Sequence, residues 1–192
     1  FKGNEIKGKT IGIIGFGNVG KRFSEIAIAL GMNVAVYSKS FISRKNDYPN
    51  IENISFNDLI IKSDILSFHC KPSKDGKPII SIKELRLMKK NAVLINTARG
   101  GIINERDLYS ALKAGHLSGV AIDVFEQEPY SGNLSEIDRC LLTAHMGSMS
   151  IDCRSEMELL ATKEVIRFFN DEPLLGLVPE DEYIIQRMEK VI

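Results

Sequence analysis

The strongest constraint on how this chain can fold is Gly15-Phe16-Gly17-Asn18-Val19-Gly20, placed directly behind the apolar run Thr10 to Ile14 and at the mouth of a helix-period segment, Val19 to Leu30. Gly15 permits a tight turn, Gly17 lets a pyrophosphate approach the backbone, and Gly20 allows close helix–strand packing. Free N–H groups and the dipole at the helix start attract phosphate. A second apolar run, Val34 to Tyr37, follows the helix, which completes the strand, loop, helix, strand context that gives a GxGxxG its meaning. The six loop residues Gly15, Phe16, Gly17, Asn18, Val19 and Gly20 are therefore candidate dinucleotide contacts.

The same alternation continues along the chain. Strand-length runs lie at Ile65 to Phe68, Ala92 to Ile95, Val120 to Val124 and Cys140 to Thr143, separated by helix-period segments at Phe56 to Ile61, Ser81 to Met88 and Asn104 to Ala114. The runs are continuous rather than alternating, as expected of strands buried on both faces. The pattern predicts an α/β chain, a Rossmann-type doubly wound parallel sheet with helices on both faces. On the first helix Phe23, Ile26, Ala27 and Leu30 are expected to face the core. Ser81 with Glu84 has the form of a capping box, and Gly31 and Gly115 sit where helices should stop. A longer amphipathic helix is expected from Ile151 to Phe169. The expected layout is a dinucleotide-binding domain over 1–170 and a C-terminal extension over 171–192, with Pro173, Gly176, Pro179 and a charged stretch from Glu180 to Lys190.

Composition narrows the function classes. Lys plus Arg number 25 and Asp plus Glu number 25, so the net charge is zero and the counterion-release force behind nucleic-acid or anionic-membrane binding is missing. No apolar stretch approaches the roughly 20 residues of a membrane span. The three cysteines, Cys70, Cys140 and Cys153, form no CxxC pair, so neither a metal site nor a disulfide framework is expected. A cytoplasmic location is the matching expectation.

In an open parallel sheet ligands bind beyond the carboxyl ends of the strands, so polar residues there are the candidates for chemistry. Arg99 follows AVLINTA, Asp123 ends GVAIDV, Glu128 comes shortly after, and His145 follows LLTA with Gly147 close behind. Arg99 can hold a carboxylate with two parallel bonds. His145 has the side chain suited to proton transfer near neutrality, with Glu128 as a partner for its other ring nitrogen. At the end of the second strand, where a ribose-binding carboxylate is usual, the chain reads Tyr37-Ser38-Lys39, with Arg44 and Lys45 further on. Without a carboxylate to repel a 2′-phosphate, Ser38 and Lys39 lean toward NADP or dual use over NAD; a solvated loop is the competing reading of these cations.

The stretches INTARGGIINERDL (Ile95 to Leu108), DVFEQEP (Asp123 to Pro129) and TAHMGS (Thr143 to Ser148), with GIIGFGNVGK and SFHCKPS in the same order, resemble the D-isomer-specific 2-hydroxyacid dehydrogenases. The resemblance runs from about Gly3 to Phe169. It implies that Arg99 binds the substrate carboxylate and polarises the 2-keto oxygen, that His145 donates a proton to that oxygen, and that Glu128 pairs with His145. It further implies that Asp123 bonds the nicotinamide carboxamide, that Thr97 and Ala98 lie beside the ribose and ring, and that Cys70, Lys71, Arg99, His145 and Gly147 border the cofactor. D-3-phosphoglycerate, hydroxypyruvate and glyoxylate remain open as substrates, and a homodimer is implied. Lys71 and Ala144 stand where the family usually has Pro. His69 reads as structural or cofactor-adjacent, and His116 as a surface residue. Formate oxidation is disfavoured, because the relatives that perform it carry Gln at the position of Glu128. Members have a substrate domain built mainly from residues preceding the glycine loop, so this chain is expected to be the cofactor domain of a longer enzyme, weakly active alone. Two other readings stand beside it: a dinucleotide-sensing module of the corepressor type, and a structural dimerisation domain, which the intact glycine loop opposes. Short-chain dehydrogenase chemistry is disfavoured, since no Tyr-x-x-x-Lys lies at the expected place.

Overall fold

The computed structural model describes residues 3–39, 41 and 47–177 and falls into two compact units, 1–146 and 147–192. The first unit runs β1 (Thr10–Ile14), α1 (Asn18–Ala29), β2 (Asn33–Tyr37), β3 (Ile51–Asn53), α2 (Phe56–Lys62), β4 (Ile65–Phe68), α3 (Ile82–Leu87), β5 (Val93–Asn96), α4 (Glu105–Lys113), β6 (Gly119–Ile122), a 3-10 turn (Asn133–Glu136) and β7 (Cys140–Leu142). Every strand pairing is parallel, in the order β3-β2-β1-β4-β5-β6-β7. The chain thus starts in the middle of the sheet, extends to one side through β2 and β3, and then crosses to the other from β4 onward. The helices after β1 and β4 cover opposite faces of the sheet, so the strand order reverses there, the place at which open parallel sheets bind ligands.

Two separate hydrophobic cores show that both faces of the sheet are covered. Ile11, Ile13, Val34 and Val36 pack with Ala27, Met32 and Phe41, whereas Ile14, Ala35, Leu66 and Leu94 pack with Leu59, Leu85, Leu108 and Leu112. Successive strand residues point to opposite faces, and both are apolar here, as the continuous runs require. The doubly wound α/β reading is therefore correct.

Some boundaries differ. Strand β3 was not anticipated: at three residues, with Glu52 exposed, it carries too little apolar signal to be read. Strand β5 is shifted by one residue from the expected run, and β6 starts one residue earlier and ends two earlier, placing Asn96 inside the sheet and Asp123 just beyond it. Helix α1 uses only part of the expected face. Ala27 is buried and Phe23 packs on the core, joined by Gly20 and Ser24, while Ile26 and Leu30 point outward. Small residues win because they bring the helix closer to the strands, and Ser24 satisfies its hydroxyl on Gly20 O at 2.7 Å.

The helix stops and caps agree with the sequence. Gly31 and Gly115 adopt φ of 77° and 72°, a region in which a Cβ is penalised. Glu84 accepts both the N–H and the hydroxyl of Ser81 at 2.9 and 2.6 Å.

The second unit contains α5 (Ile151–Phe169), whose Ser150 cap accepts the N–H of Cys153 at 3.1 Å. The helix has the expected bounds, yet none of its residues is buried. Glu164 takes the N–H groups of Leu175 and Gly176, which ties the following turn to the helix. Arg44, Lys45, Pro179 and the stretch Glu180 to Lys190 lie outside the described residues.

Candidate functional site: a dinucleotide loop and an acid–base pair

The glycine loop is built as its spacing predicts. Gly15 has φ 95° and donates its N–H to Tyr37 O at 3.0 Å, so the turn is pinned to the end of β2. On its other side a Cβ on Gly15 would collide with the carbonyl of His69, and one on Gly20 with the carbonyl of Gly15. At Gly17 the same Cβ would meet nothing. The open space lies where a ligand needs it. Phe16 turns the other way: its ring is 2% exposed and packs edge-on against Phe41 and Tyr48 at centroid distances of 4.8 and 5.0 Å. Burying that ring contributes about 1.5–3 kcal/mol to seating the loop, so only its backbone is available to a ligand. Asn18 and Val19 are exposed at the first turn of α1. Gly17 caps that helix without a side-chain acceptor, and no acidic residue occupies the first turn. Open space at Gly17 and amide donors with no side-chain cap fit a pyrophosphate.

His69 and Cys70 follow β4 and wall this loop. Burial pulls the His69 imidazole down to about 4 and pushes the Cys70 thiol up to about 11, so both are neutral near pH 7. His69 Nε2 lies 3.0 Å from Ser67 Oγ, and its ring packs on Phe23. Both stand against the glycine loop as neutral side chains. Lys71 is exposed beyond them. After β2, Ser38 is half-buried and Lys39 exposed.

The second part of the site comes from β5, β6 and β7. Residue 123 immediately follows β6, and its backbone N–H donates to Asn96 O at 3.0 Å while its C=O accepts from His145 N at 2.9 Å. Its carboxylate reaches the same loop: Asp123 Oδ1 accepts from Thr143 Oγ1 at 2.5 Å and from Met146 N at 2.9 Å. These bonds hold His145 at φ 51°, a left-handed conformation that non-glycine residues adopt only when their surroundings enforce it. His145 Nδ1 then lies 2.9 Å from Glu128 Oε2, while Glu128 Oε1 accepts from Phe125 N at 3.0 Å. The hydrogen bond to His145, followed by the one from Phe125, holds the Glu128 carboxyl below its usual range. A carboxylate on Nδ1 fixes the ring and presents Nε2 as the reacting nitrogen, the arrangement of a general acid–base histidine.

Arg99 stands on the loop after β5, exposed, with its guanidinium on Ala98 O at 2.7 Å; Thr97 is exposed and Ala98 half-buried. This loop abuts the one carrying Glu128 through Gly100, where a Cβ would overlap the carbonyl of Phe125 and lie 2.9 Å from Glu126 N. Asp123, Glu128 and His145 are thus directly linked, and Arg99 is one glycine from the same loop pair. Gly147 opens the second unit. His116 is half-buried rather than a surface residue, its Nε2 3.1 Å from Met88 O. Asn96, Gly100 and Thr143 were not singled out from sequence; the one available signal was a polar Asn closing an otherwise apolar run. Among the described residues no group of three His, Cys, Asp or Glu is placed to hold a metal ion, and no helix is long and apolar enough to cross a membrane.

The chain is similar to known proteins over most of its length. The family described as D-isomer specific 2-hydroxyacid dehydrogenase, NAD binding domain, matches residues 1–147. A glyoxylate reductase of Thermococcus litoralis is 37% identical over 182 residues, which cover 94% of this chain and 55% of the relative. Among solved structures, a glyoxylate reductase from Paecilomyes thermophila superposes with a TM-score of 0.84 at 34% identity, covering 93% of this chain and 55% of that one. An acyclic imino acid reductase in complex with NADPH and D-Arg gives 0.81 at 33% identity, covering 91% and 55%. The chain spans about half the length of these relatives. With the glycine loop, the reversed strand order and the His145–Glu128 pair in place, the chain belongs to the D-isomer specific 2-hydroxyacid dehydrogenase family, as its NAD-binding domain.

Proposed function

We propose that this chain is the dinucleotide-binding part of an oxidoreductase that interconverts a small D-2-hydroxy acid and its 2-keto acid, with glyoxylate as the first substrate to try. The observation that carries the reading is the His145–Glu128 contact of 2.9 Å on a loop fixed by Asp123. The bound nicotinamide supplies or accepts the hydride. His145 Nε2 gives a proton to the 2-keto oxygen during reduction and recovers it during oxidation, while Glu128 holds Nδ1 and balances the charge of the imidazolium. Arg99 holds the substrate carboxylate. Asp123 orients the histidine loop and faces the carboxamide. Glycine-loop amides would bind the pyrophosphate, and Thr97, Ala98, Cys70 and Lys71 would border the ribose and ring.

The cofactor choice leans to NADPH, because Ser38 and Lys39 leave no carboxylate at the end of β2. The acyclic imino acid reductase solved in complex with NADPH supports this lean. The dinucleotide domain runs over 1–170 in this reading, with 171–192 as its extension. A homodimer formed through this domain is supported by Ile26 and Leu30, apolar and outward on α1. A reducing cytoplasm suits the three free cysteines.

The test is calorimetric titration with NADH and NADPH, joined to an assay of glyoxylate reduction by the protein that carries this chain. NADPH should bind more tightly, and Ser38→Asp should reverse the order. His145→Gln should lower kcat by about 10²-fold or more. No nucleotide binding at millimolar concentration, or equal turnover by the His145 variant, defeats the reading.

A further inference from the structure

Asn96 is the last residue of β5, paired in register with Phe68 of β4 and Ile122 of β6, and it is 2% exposed. A carboxamide so deep in a parallel sheet must have both ends satisfied, since an unpaired buried polar group costs about 1–3 kcal/mol. Both ends are spent on the loop that follows. Oδ1 accepts the N–H of Ala98 at 3.1 Å, and Nδ2 donates to the C=O of Arg99 at 2.9 Å. The assignment of oxygen and nitrogen is forced by the partners, because a flipped amide would set donor against donor and acceptor against acceptor. No other side chain of this size offers one acceptor and one donor in that geometry. Aspartate offers acceptors only, and leucine offers neither.

The consequence falls on Arg99. Its C=O is held by Asn96, the N–H of the preceding residue is held by Asn96, and its guanidinium is folded onto Ala98 O. The backbone from which the arginine reaches is therefore set by one buried side chain, not by the exposed loop itself. A two-point hold on a carboxylate depends on angle as well as distance, so a loosened turn would weaken the hold without altering the guanidinium.

We propose that Asn96 is a positioning residue that sets substrate-carboxylate recognition by templating the Arg99 turn. The inference rests on the reading of Arg99 as the carboxylate binder. It predicts that Asn96→Ala raises KM for glyoxylate, measured at saturating cofactor, about tenfold or more, equivalent to about 1.4 kcal/mol. In an Arg99→Lys background, the same substitution should add almost nothing, because the group through which it acts has already been changed. Asn96→Asp keeps the shape and the Ala98 acceptor but repels the Arg99 carbonyl. It should also raise KM, and it carries the test if the alanine variant does not fold. A readout independent of turnover is amide hydrogen exchange in this chain: the Ala98 N–H should lose protection in Asn96→Ala and keep it in Asn96→Asp. Unchanged Ala98 exchange in the alanine variant, an unchanged KM, or full additivity with Arg99→Lys overturns the proposal. If the unaltered protein turns over no 2-keto acid, the reading of Arg99 falls by that result, and the Ala98 exchange still decides whether Asn96 templates the turn.

Discussion

Replacing His69 with Gln should flatten the acid limb of the protein's stability profile. The ring sits behind the glycine loop against Phe23 and Ser67, and burial brings its pKa from the ordinary 6.5 to about 4. The unfolded chain therefore binds a proton near pH 6.5, well before the folded one does. As pH falls from 6.5 to about 4, the unfolded state takes up the extra proton and stability declines; below about 4 both states are protonated and this contribution levels off. A fully sealed ring with that difference would be worth about 3.4 kcal/mol at 1.36 kcal/mol per unit. The His69 ring is only partly shielded, and solvent screening reduces the expected loss to about 1–2 kcal/mol. The assay is urea unfolding of this chain and of His69→Gln at several pH values from 7 to 4, with midpoints converted at a common slope. The wild type should lose about 1–2 kcal/mol more than the variant across that window. Parallel profiles would refute the reasoning, since the burial of a neutral imidazole would then carry no proton linkage.

Two further substitutions probe the scaffold. Gly100→Ala should destabilise by about 1–3 kcal/mol, because the new Cβ overlaps the Phe125 carbonyl, which is backbone and cannot step aside; chemical denaturation gives the number, and an unchanged midpoint means that the two loops do not touch. Asp64 is held below its usual 3.8: burial alone would raise it, but the Thr10 N–H and the hydrogen bond and charge of Lys89 outweigh that. Its contribution is therefore present above about pH 4 and lost as pH falls through the lower folded value. Asp64→Asn should cost less than about 1 kcal/mol at pH 7 and should soften the acid transition below pH 4, measured by thermal unfolding.

The fold was legible wherever burial on both faces wrote itself into the residues. TIGII, ILSF and AVLIN are runs that only a covered parallel strand explains, and each became one. Strand β3 was illegible because an edge strand of three residues with an exposed Glu52 has one covered face at most. The buried face of α1 was legible at Phe23 and Ala27 but not at Gly20 and Ser24, because hydrophobicity points to Ile26 and Leu30 while smallness decides which residues approach the strands. In the site, residues whose side chains carry chemistry stood out by type and by position after a strand: Arg99, Asp123, Glu128 and His145. Asn96 and Thr143 did not, because they act on the backbone and the carboxylate of neighbouring loops, and such partners appear only when β5, β6 and β7 lie side by side.

The pairing of β6 with β7 has a bearing on how this scaffold can change over time. Val120, Ala121 and Ile122 face Cys140, Leu141 and Leu142, and the same stagger brings Asp123 to Thr143. The loop that carries His145 is thus indexed to sheet register and not to the length of chain between the strands. Residues between the Tyr130–Phe125 stack and Arg139, whose guanidinium bonds Leu112 O and Leu117 O, lie outside that index. Insertions at the exposed positions there leave the register untouched as long as Leu134 keeps its buried place, whereas deleting one residue within β7 would turn Thr143 to the opposite face and uncouple His145 in a single step.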